Sequence, residues 1–273
     1  MQVNDDFLPL STLPASLQKA TQAAWQRLID ALTQADNIAE MTQQELPSSS
    51  WQGLSEQRRE ALAKVLAIST FALDTLARYP QWLAELDIAG ELDANPGRDE
   101  LASWLNELLE SADDEEAMQR VIRRFRRKRM VGIIWRDLNR ASGYVMWDTA
   151  KAVSELAEIC LEAALSWLEQ FYAPRWGEPA PRKDGSPQRL VVLGMGKLGG
   201  WELNYSGDID LIALYDRDAA VLAEGQEPSV FWVRLLKRLV RLLQERTGDG
   251  YVYRMDLRLR PDPGSTPLAV SVA

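Results

Sequence analysis

The sequence predicts an α+β fold, with a long helical region followed by a smaller region built on a few strands. Three observations lead there. Apolar residues recur at three- and four-residue spacing through roughly the first 170 positions, as the buried stripe of a helix requires. Pro174, Gly177, Pro179, Pro181, Gly185 and Pro187 then crowd into one short stretch. Beyond it the apolar runs are short and alternate with polar residues, the period of a strand. The expected organisation is helical over 1–173, a linker over 174–188, and a second folded region over 189–273.

Taken in order, 14–44 carries Leu17, Ala20, Ala24, Trp25, Leu28, Ile29 and Leu32 at helical spacing, and Pro47 breaks the pattern. A second helical run is expected from Ser55 to Arg78, closed by Pro80. A third covers 98–109. Ser111, followed by Asp113, Asp114, Glu115 and Glu116, reads as an N-cap and an acidic first turn that suits the helix dipole. The helix beginning there contains Arg123-Arg124-Phe125-Arg126-Arg127-Lys128-Arg129, six cations in seven residues. Two readings of this run stay open: a basic face for phosphate, nucleotide or an acidic partner, or a solvated face paired with acidic segments. A further helix is expected over 148–172.

After the linker, Leu190–Leu193 and Ile209–Tyr215 read as strands, and Ser229 as the cap of a helix to Arg246 with Val230, Val233, Leu236, Val240 and Leu243 facing inward. A third strand is expected from Tyr251 to Leu259, then a turn-rich loop over 261–267 and a β-like run from Leu268 to Val272.

Composition narrows the chemistry. The 273 residues include one cysteine and no histidine, with 46% apolar and 26% charged side chains. Disulfide frameworks, Cys/His zinc sites and Ser-His or Cys-His nucleophiles are excluded, so a metal would have to be held by oxygen. Cys160 falls within an apolar helical pattern and is expected in the core. The ten tryptophans are expected to be core anchors. Net charge is −9, unevenly spread: 1–119 holds 21 acidic and 7 basic side chains, 120–273 holds 19 and 24. The basic second part could receive an anionic ligand, or the acidic helices could simply confer solubility. With no apolar leader and no long apolar stretch, a cytoplasmic protein with no membrane partner is expected.

Gly194-Met195-Gly196-Lys197-Leu198-Gly199 matches G-x-G-x-x-G after a strand, yet the dinucleotide reading needs a crossover helix and a parallel strand that the eight residues between Gly199 and Asp208 cannot supply. The glycines would still let the backbone approach an anion closely, with Lys197 as a point charge beside it.

The most informative stretch is Asp208-Ile209-Asp210-Leu211. On a strand Asp208 and Asp210 project to one face and Ile209 and Leu211 to the other. Two carboxylates that close favour a divalent cation between them. Strand parity likewise puts Arg254, Asp256, Arg258 and Arg260 on one face. If the two faces meet, three carboxylates and several arginines surround a metal, which suits phosphoryl or nucleotidyl transfer.

The segments GMGKLGG over 194–200, ELN over 202–204, DIDL over 208–211 and RMDLRLRP over 254–261 resemble the glutamine synthetase adenylyltransferase/adenylyl-removing family. That family belongs to the DNA polymerase β-like nucleotidyltransferases. The resemblance implies a polymerase β-like mixed sheet after the helical bundle, and a chain that ends inside the first of the family's two nucleotidyltransferase domains. It also implies that Asp208, Asp210 and Asp256 bind magnesium or manganese, and that Gly194, Gly196, Lys197 and Gly199 hold nucleotide phosphates. Arg258 and Arg260, chosen from strand parity, are candidates for the attacking phosphate or the AMP phosphate. The implied partners are glutamine synthetase, nucleotide and phosphate, with a PII-type signal protein as a further candidate and no nucleic acid. The basic helix and the ELN wording resemble the first domain, so phosphorolytic removal of AMP is the implied reaction. Adenylylation from ATP, and an idle interaction module for glutamine synthetase or a PII-type protein, are the alternatives.

Overall fold

A computed structural model describes residues 6–42, 51–140, 143–182, 184–217 and 227–272. The fold is α+β: helices with one mixed four-stranded sheet. It divides into two compact units, residues 1–96 with 127–149, and 97–126 with 150–273. The stretch 174–188 lies within the second. Among the described residues, no helix is long and apolar enough to cross a membrane.

Among the described residues, the regular elements of the first unit are all helices. Its long opening helix, Ala15–Thr42, buries Trp25, Leu28 and Leu32. Trp25 stacks on Phe7 at 5.5 Å and meets Trp51 at 6.2 Å, and the Trp51 indole donates to the Pro80 carbonyl at 2.8 Å. Such rings bury large area while the polar atom keeps a partner. The run expected over 55–78 is two helices, Glu56–Ile68 and Thr70–Arg78. Ser69 breaks it: in an extended conformation, its hydroxyl accepts the Ala72 N–H and caps the second helix. Pro80 does not merely end a helix. With its φ of −62° it opens Gln81–Ile88, a helix the sequence reading passed over.

Glu115–Asn139 contributes its first half to the second unit and its second half to the first. Its N-cap is Asp114, whose carboxylate accepts the Ala117 N–H at 2.7 Å, and not Ser111, whose hydroxyl donates back to Leu108. A carboxylate at this position also meets the positive end of the dipole. The basic run inside it is largely drawn into the structure, and part of it pairs with acidic residues as one of the two readings expected. Arg123 is 1% exposed and donates to the carbonyls of Gly250 (2.8 Å), Leu242 (2.9 Å) and Glu245 (2.5 Å). Arg124 pairs with the buried Asp249, and Arg126 lies 4.7 Å over the Tyr253 ring. In the first unit, Arg127 covers Phe71, and Lys128 and Arg129 pair with Glu85 and Glu91. The guanidinium of Arg136 donates to Asn95 and to the Glu91 and Ala94 carbonyls.

Helix Met146–Trp176, which belongs to the second unit from Ala150 onward, runs past the boundary expected from Pro174. Its last turn is held by Tyr172 stacked on Trp176 at 3.7 Å, and Gly177, with φ of 79°, ends it. Cys160 on this helix is fully buried, and desolvation pushes its thiol up to about 12. The sheet consists of β1 (Val191–Met195), β2 (Ile209–Asp216), β3 (Met255–Asp256) and β4 (Ala269–Val272). β1 runs antiparallel to β2, whereas β3 and β4 both run parallel to it. β3 pairs with residues 209–210 and β4 with 213–216, so they follow one another along β2. Ile209, Leu211, Ala213 and Tyr215 are buried, and the intervening residues of β2 are half-buried. Helix Pro228–Gln244 begins one residue before the expected cap Ser229. It buries Phe231, Trp232, Leu235, Leu236, Leu239, Leu242 and Leu243. Val230 is exposed, because the aromatic and leucine stripe wins the inward face over the valines. Buried tryptophans dominate as expected, although Trp147 and Trp201 are exposed.

Candidate active site

Direct antiparallel pairing of β1 with β2 disposes of the dinucleotide reading, which needs parallel strands and a crossover helix. Gly194 lies in β1, and Gly196–Gly199 form one helical turn at its end. Close approach fixes these glycines. A Cβ on Gly199 would stand 2.5 Å from the Gly194 carbonyl oxygen, inside any real contact distance. Gly196 has φ of +53°, and a Cβ there would stand 3.0 Å from Oδ2 of Asp210. The turn thus leaves space over that carboxylate. Lys197 is exposed on the turn. Beyond it, the backbone N–H of Leu203 donates to the buried Ser154 hydroxyl at 3.1 Å, which anchors the loop into β2.

Met195 is the register partner of Asp210, so the end of the glycine-bearing strand and the D-x-D strand meet. Asp210 is in turn the register partner of Asp256 on β3. Neighbours in register point to the same face. Asp210 and Asp256 therefore stand side by side, with Asp208 immediately before the first residue of β2. This is the meeting of polar faces expected from strand parity. A cavity of about 350 Å³ nearby is lined by Gly194, Leu198 and Leu211 and belongs to the opposite face of the sheet.

The arginines are arranged differently from the expectation. β3 is only two residues long, and the chain turns after Leu257, so strand parity ends before Arg258. Arg258 folds back on Asp256. Its backbone N–H and Nε donate to Oδ1 at 2.8 and 3.0 Å, and Nε and Nη2 reach Oδ2 at 2.9 and 2.5 Å. These bonds hold the Asp256 carboxyl down at about 2. Arg260 is turned elsewhere. It donates to the carbonyls of Leu257 (2.5 Å), Pro263 (2.9 Å) and Thr266 (3.3 Å), which makes it the staple of the 257–266 loop. Leu259 is half-exposed for the same reason. Arg254, which strand parity put on the face of Asp256, does reach the site. Its Nε donates to Oδ1 of Asp208 at 2.5 Å and its Nη2 to the Ser206 carbonyl at 2.8 Å.

Oxygen-only donors on adjacent strands suit a hard divalent cation, and the open space at Gly196 lies over one of them. With Asp208 turned to Arg254 and Asp256 to Arg258, no three acidic side chains close around one point among the described residues.

A sequence model of the glutamate-ammonia ligase adenylyltransferase family matches residues 59–273. The chain belongs to that family. Among curated relatives, the bifunctional glutamine synthetase adenylyltransferase/adenylyl-removing enzyme of Pseudomonas aeruginosa is 38% identical over 268 residues, which is 97% of this chain and 26% of the relative. The enzyme of the same name from Thioalkalivibrio sulfidiphilus is 42% identical over 214 residues, 77% of this chain and 22% of the relative. That of Shewanella loihica is 37% identical over 262 residues, 95% and 25% respectively. This adenylyltransferase-family chain therefore spans about a quarter of the length of the curated relatives it matches. All four motif segments, from the glycine turn to the Arg254–Pro261 stretch, lie inside the matched region.

Proposed function

We propose that this chain carries a metal-dependent nucleotidyltransferase site that regulates glutamine synthetase by removing AMP from an adenylylated tyrosine. The observation that carries the reading is the register pair Asp210–Asp256, with Asp208 just before the same strand and the glycine turn above Asp210. The relatives' names supply the substrate protein, and the basic helix and the ELN segment favour the adenylyl-removing direction.

In this reaction an oxygen of inorganic phosphate attacks the phosphorus of the tyrosyl–AMP phosphodiester. The bond from phosphorus to the tyrosine oxygen breaks, the phenolate takes up a proton, and ADP leaves. Asp208, Asp210 and Asp256 would hold magnesium or manganese. Such ions supply neutralisation of charge on the attacking, transferring and leaving oxygens. The residues of the chain position the phosphates. N–H groups of the Gly196–Gly199 turn can cradle phosphate oxygens, and Lys197 adds a charge beside them. No histidine is needed, because proton transfer to a phenolate does not limit such a displacement.

The test is incubation of the chain with AMP-modified glutamine synthetase, phosphate and magnesium. ADP release that the Asp208→Asn/Asp210→Asn double variant loses is the expected result. Absence of ADP from the folded chain, with a full-length relative active alongside, would overturn the proposal for this chain. AMP transfer from ATP onto unmodified glutamine synthetase without ADP release would show the opposite direction.

A further inference from the structure

Two arginines lie on the carboxylates of the site, and their placement has a consequence beyond ion pairing. Asp256 accepts four N–H contacts from Arg258, which uses the lone-pair directions a carboxylate offers. Asp208 is held through Oδ1 by Arg254. A divalent cation needs those same lone pairs. Guanidinium and cation therefore compete for both oxygens of Asp256 and for Oδ1 of Asp208.

The arginines can leave. The Arg258 side chain is 84% exposed and that of Arg254 is 53% exposed, and ion pairs so open to water are weak. Arg123, on carbonyls of the 242–250 segment, and Arg260, on carbonyls of its own loop, are by contrast built in. Arg258 also feels more than one partner. Its hydrogen bonds to Asp256, followed by the charges of Asp256, Asp210 and Asp208, raise its pKa. It stands in the field of all three carboxylates and is tethered two residues from one of them.

We propose that Arg254 and Arg258 are exchangeable counter-ions of this site, leaving Asp208 and Asp256 when divalent cations bind and moving onto the phosphates of the nucleotide. The inference rests on the nucleotidyltransferase reading above. Displaced guanidinium groups stay within side-chain reach of anything bound at the carboxylates, and phosphate is the bidentate partner they fit. Cation and nucleotide should consequently assist each other, since each removes the arginines' alternative partner.

The test measures binding and not turnover. Mn2+ affinity is read by electron paramagnetic resonance of the free ion for wild type, Arg254→Gln and Arg258→Gln. Arg217→Gln, which removes a charge at the far end of β2, controls for long-range electrostatics. ADP affinity is then measured by calorimetry at saturating Mg2+, with thermal unfolding to verify the fold of each variant. The expected signature is opposite in sign for the two ligands. Both site variants should bind Mn2+ about 3–10-fold more tightly than Arg217→Gln, as loss of a competing charge pair predicts, and ADP at least several-fold more weakly. Arg258→Lys, which keeps the charge but loses the fork, should fall between. Mn2+ affinity equal to that of Arg217→Gln, or weaker, would overturn the exchange, as would unchanged ADP affinity. If Asp208→Asn/Asp210→Asn binds Mn2+ as well as wild type, the carboxylates hold no cation, and the metal reading falls together with the exchange.

Discussion

Arg123→Met tests whether the basic run acts as an internal clamp. The guanidinium is buried and donates to the carbonyls of Leu242, Glu245 and Gly250, with a weaker bond to Gln119 at 3.2 Å. Two of these carbonyls belong to the end of helix Pro228–Gln244 and its cap, where no intrahelical donor is left for them. Methionine fills most of the volume but leaves three carbonyls without that donor. A bond from a charged donor contributes about 1.5–3 kcal/mol. Burying the charge works against this: desolvation lowers the Arg123 pKa, and the variant is spared a cost that for a buried ion is roughly 3–4 kcal/mol. With three bonds at the middle of their range, about 6–7 kcal/mol in sum, the net loss is about 3 kcal/mol. For a unit of about 150 residues this corresponds to a fall in Tm of roughly 6–12 °C. Urea and thermal unfolding followed by circular dichroism give the number. Hydrogen exchange should locate it to 247–256, the segment that delivers Asp256 to β2. Arg123→Lys, able to reach fewer carbonyls, should be intermediate. A loss below about 1 kcal/mol, or a lysine variant as stable as wild type, would refute the clamp.

Three further outcomes follow from particular contacts. Gly199→Ala should destabilise the second unit by about 2 kcal/mol in urea titration, because its Cβ would stand 2.5 Å from a backbone oxygen that cannot swing away. Arg260→Ala should cost about 1–2 kcal/mol through the lost loop bonds and leave ADP affinity within about twofold, as befits a staple; a large loss of ADP affinity would return it to the phosphate site. Burial pushes the Glu169 carboxyl up to about 7, and one of its oxygens is buried without a hydrogen-bond partner. In the native state it binds a proton that the unfolded chain has already released, so stability should fall as pH rises from about 4.5 through 7. Glu169→Gln should remove this slope and gain roughly 2 kcal/mol at pH 8, with no gain at pH 4. Parallel stability curves for variant and wild type would exclude the burial effect.

Much of the site could be read locally. Alternation along β2 is enough to put Asp208 and Asp210 on the face opposite Ile209 and Leu211, because the period of a strand is a property of the backbone. The failure of the dinucleotide reading was likewise visible in eight residues of chain, too short for a crossover helix. Short-range rules went wrong where a few residues changed conformation. Ser69 begins a helix inside a run that the hydrophobic pattern shows as continuous, Pro80 begins one where the pattern shows only an end, and the turn after Leu257 ended the parity that had placed Arg258 and Arg260 with Asp256.

Sequence by itself determined the α+β class, the oxygen-only chemistry imposed by the absence of histidine, and the D-x-D face. Only the tertiary structure decided that Asp256 stands beside Asp210, since parallel pairing brings together strands that are 46 residues apart and composition says nothing of register. It also decided the work of the arginines. A guanidinium is equally compatible with water, a carbonyl cage, an aromatic ring or a carboxylate. Packing of the surrounding elements determines which of these Arg123, Arg126, Arg258 and Arg260 each meet.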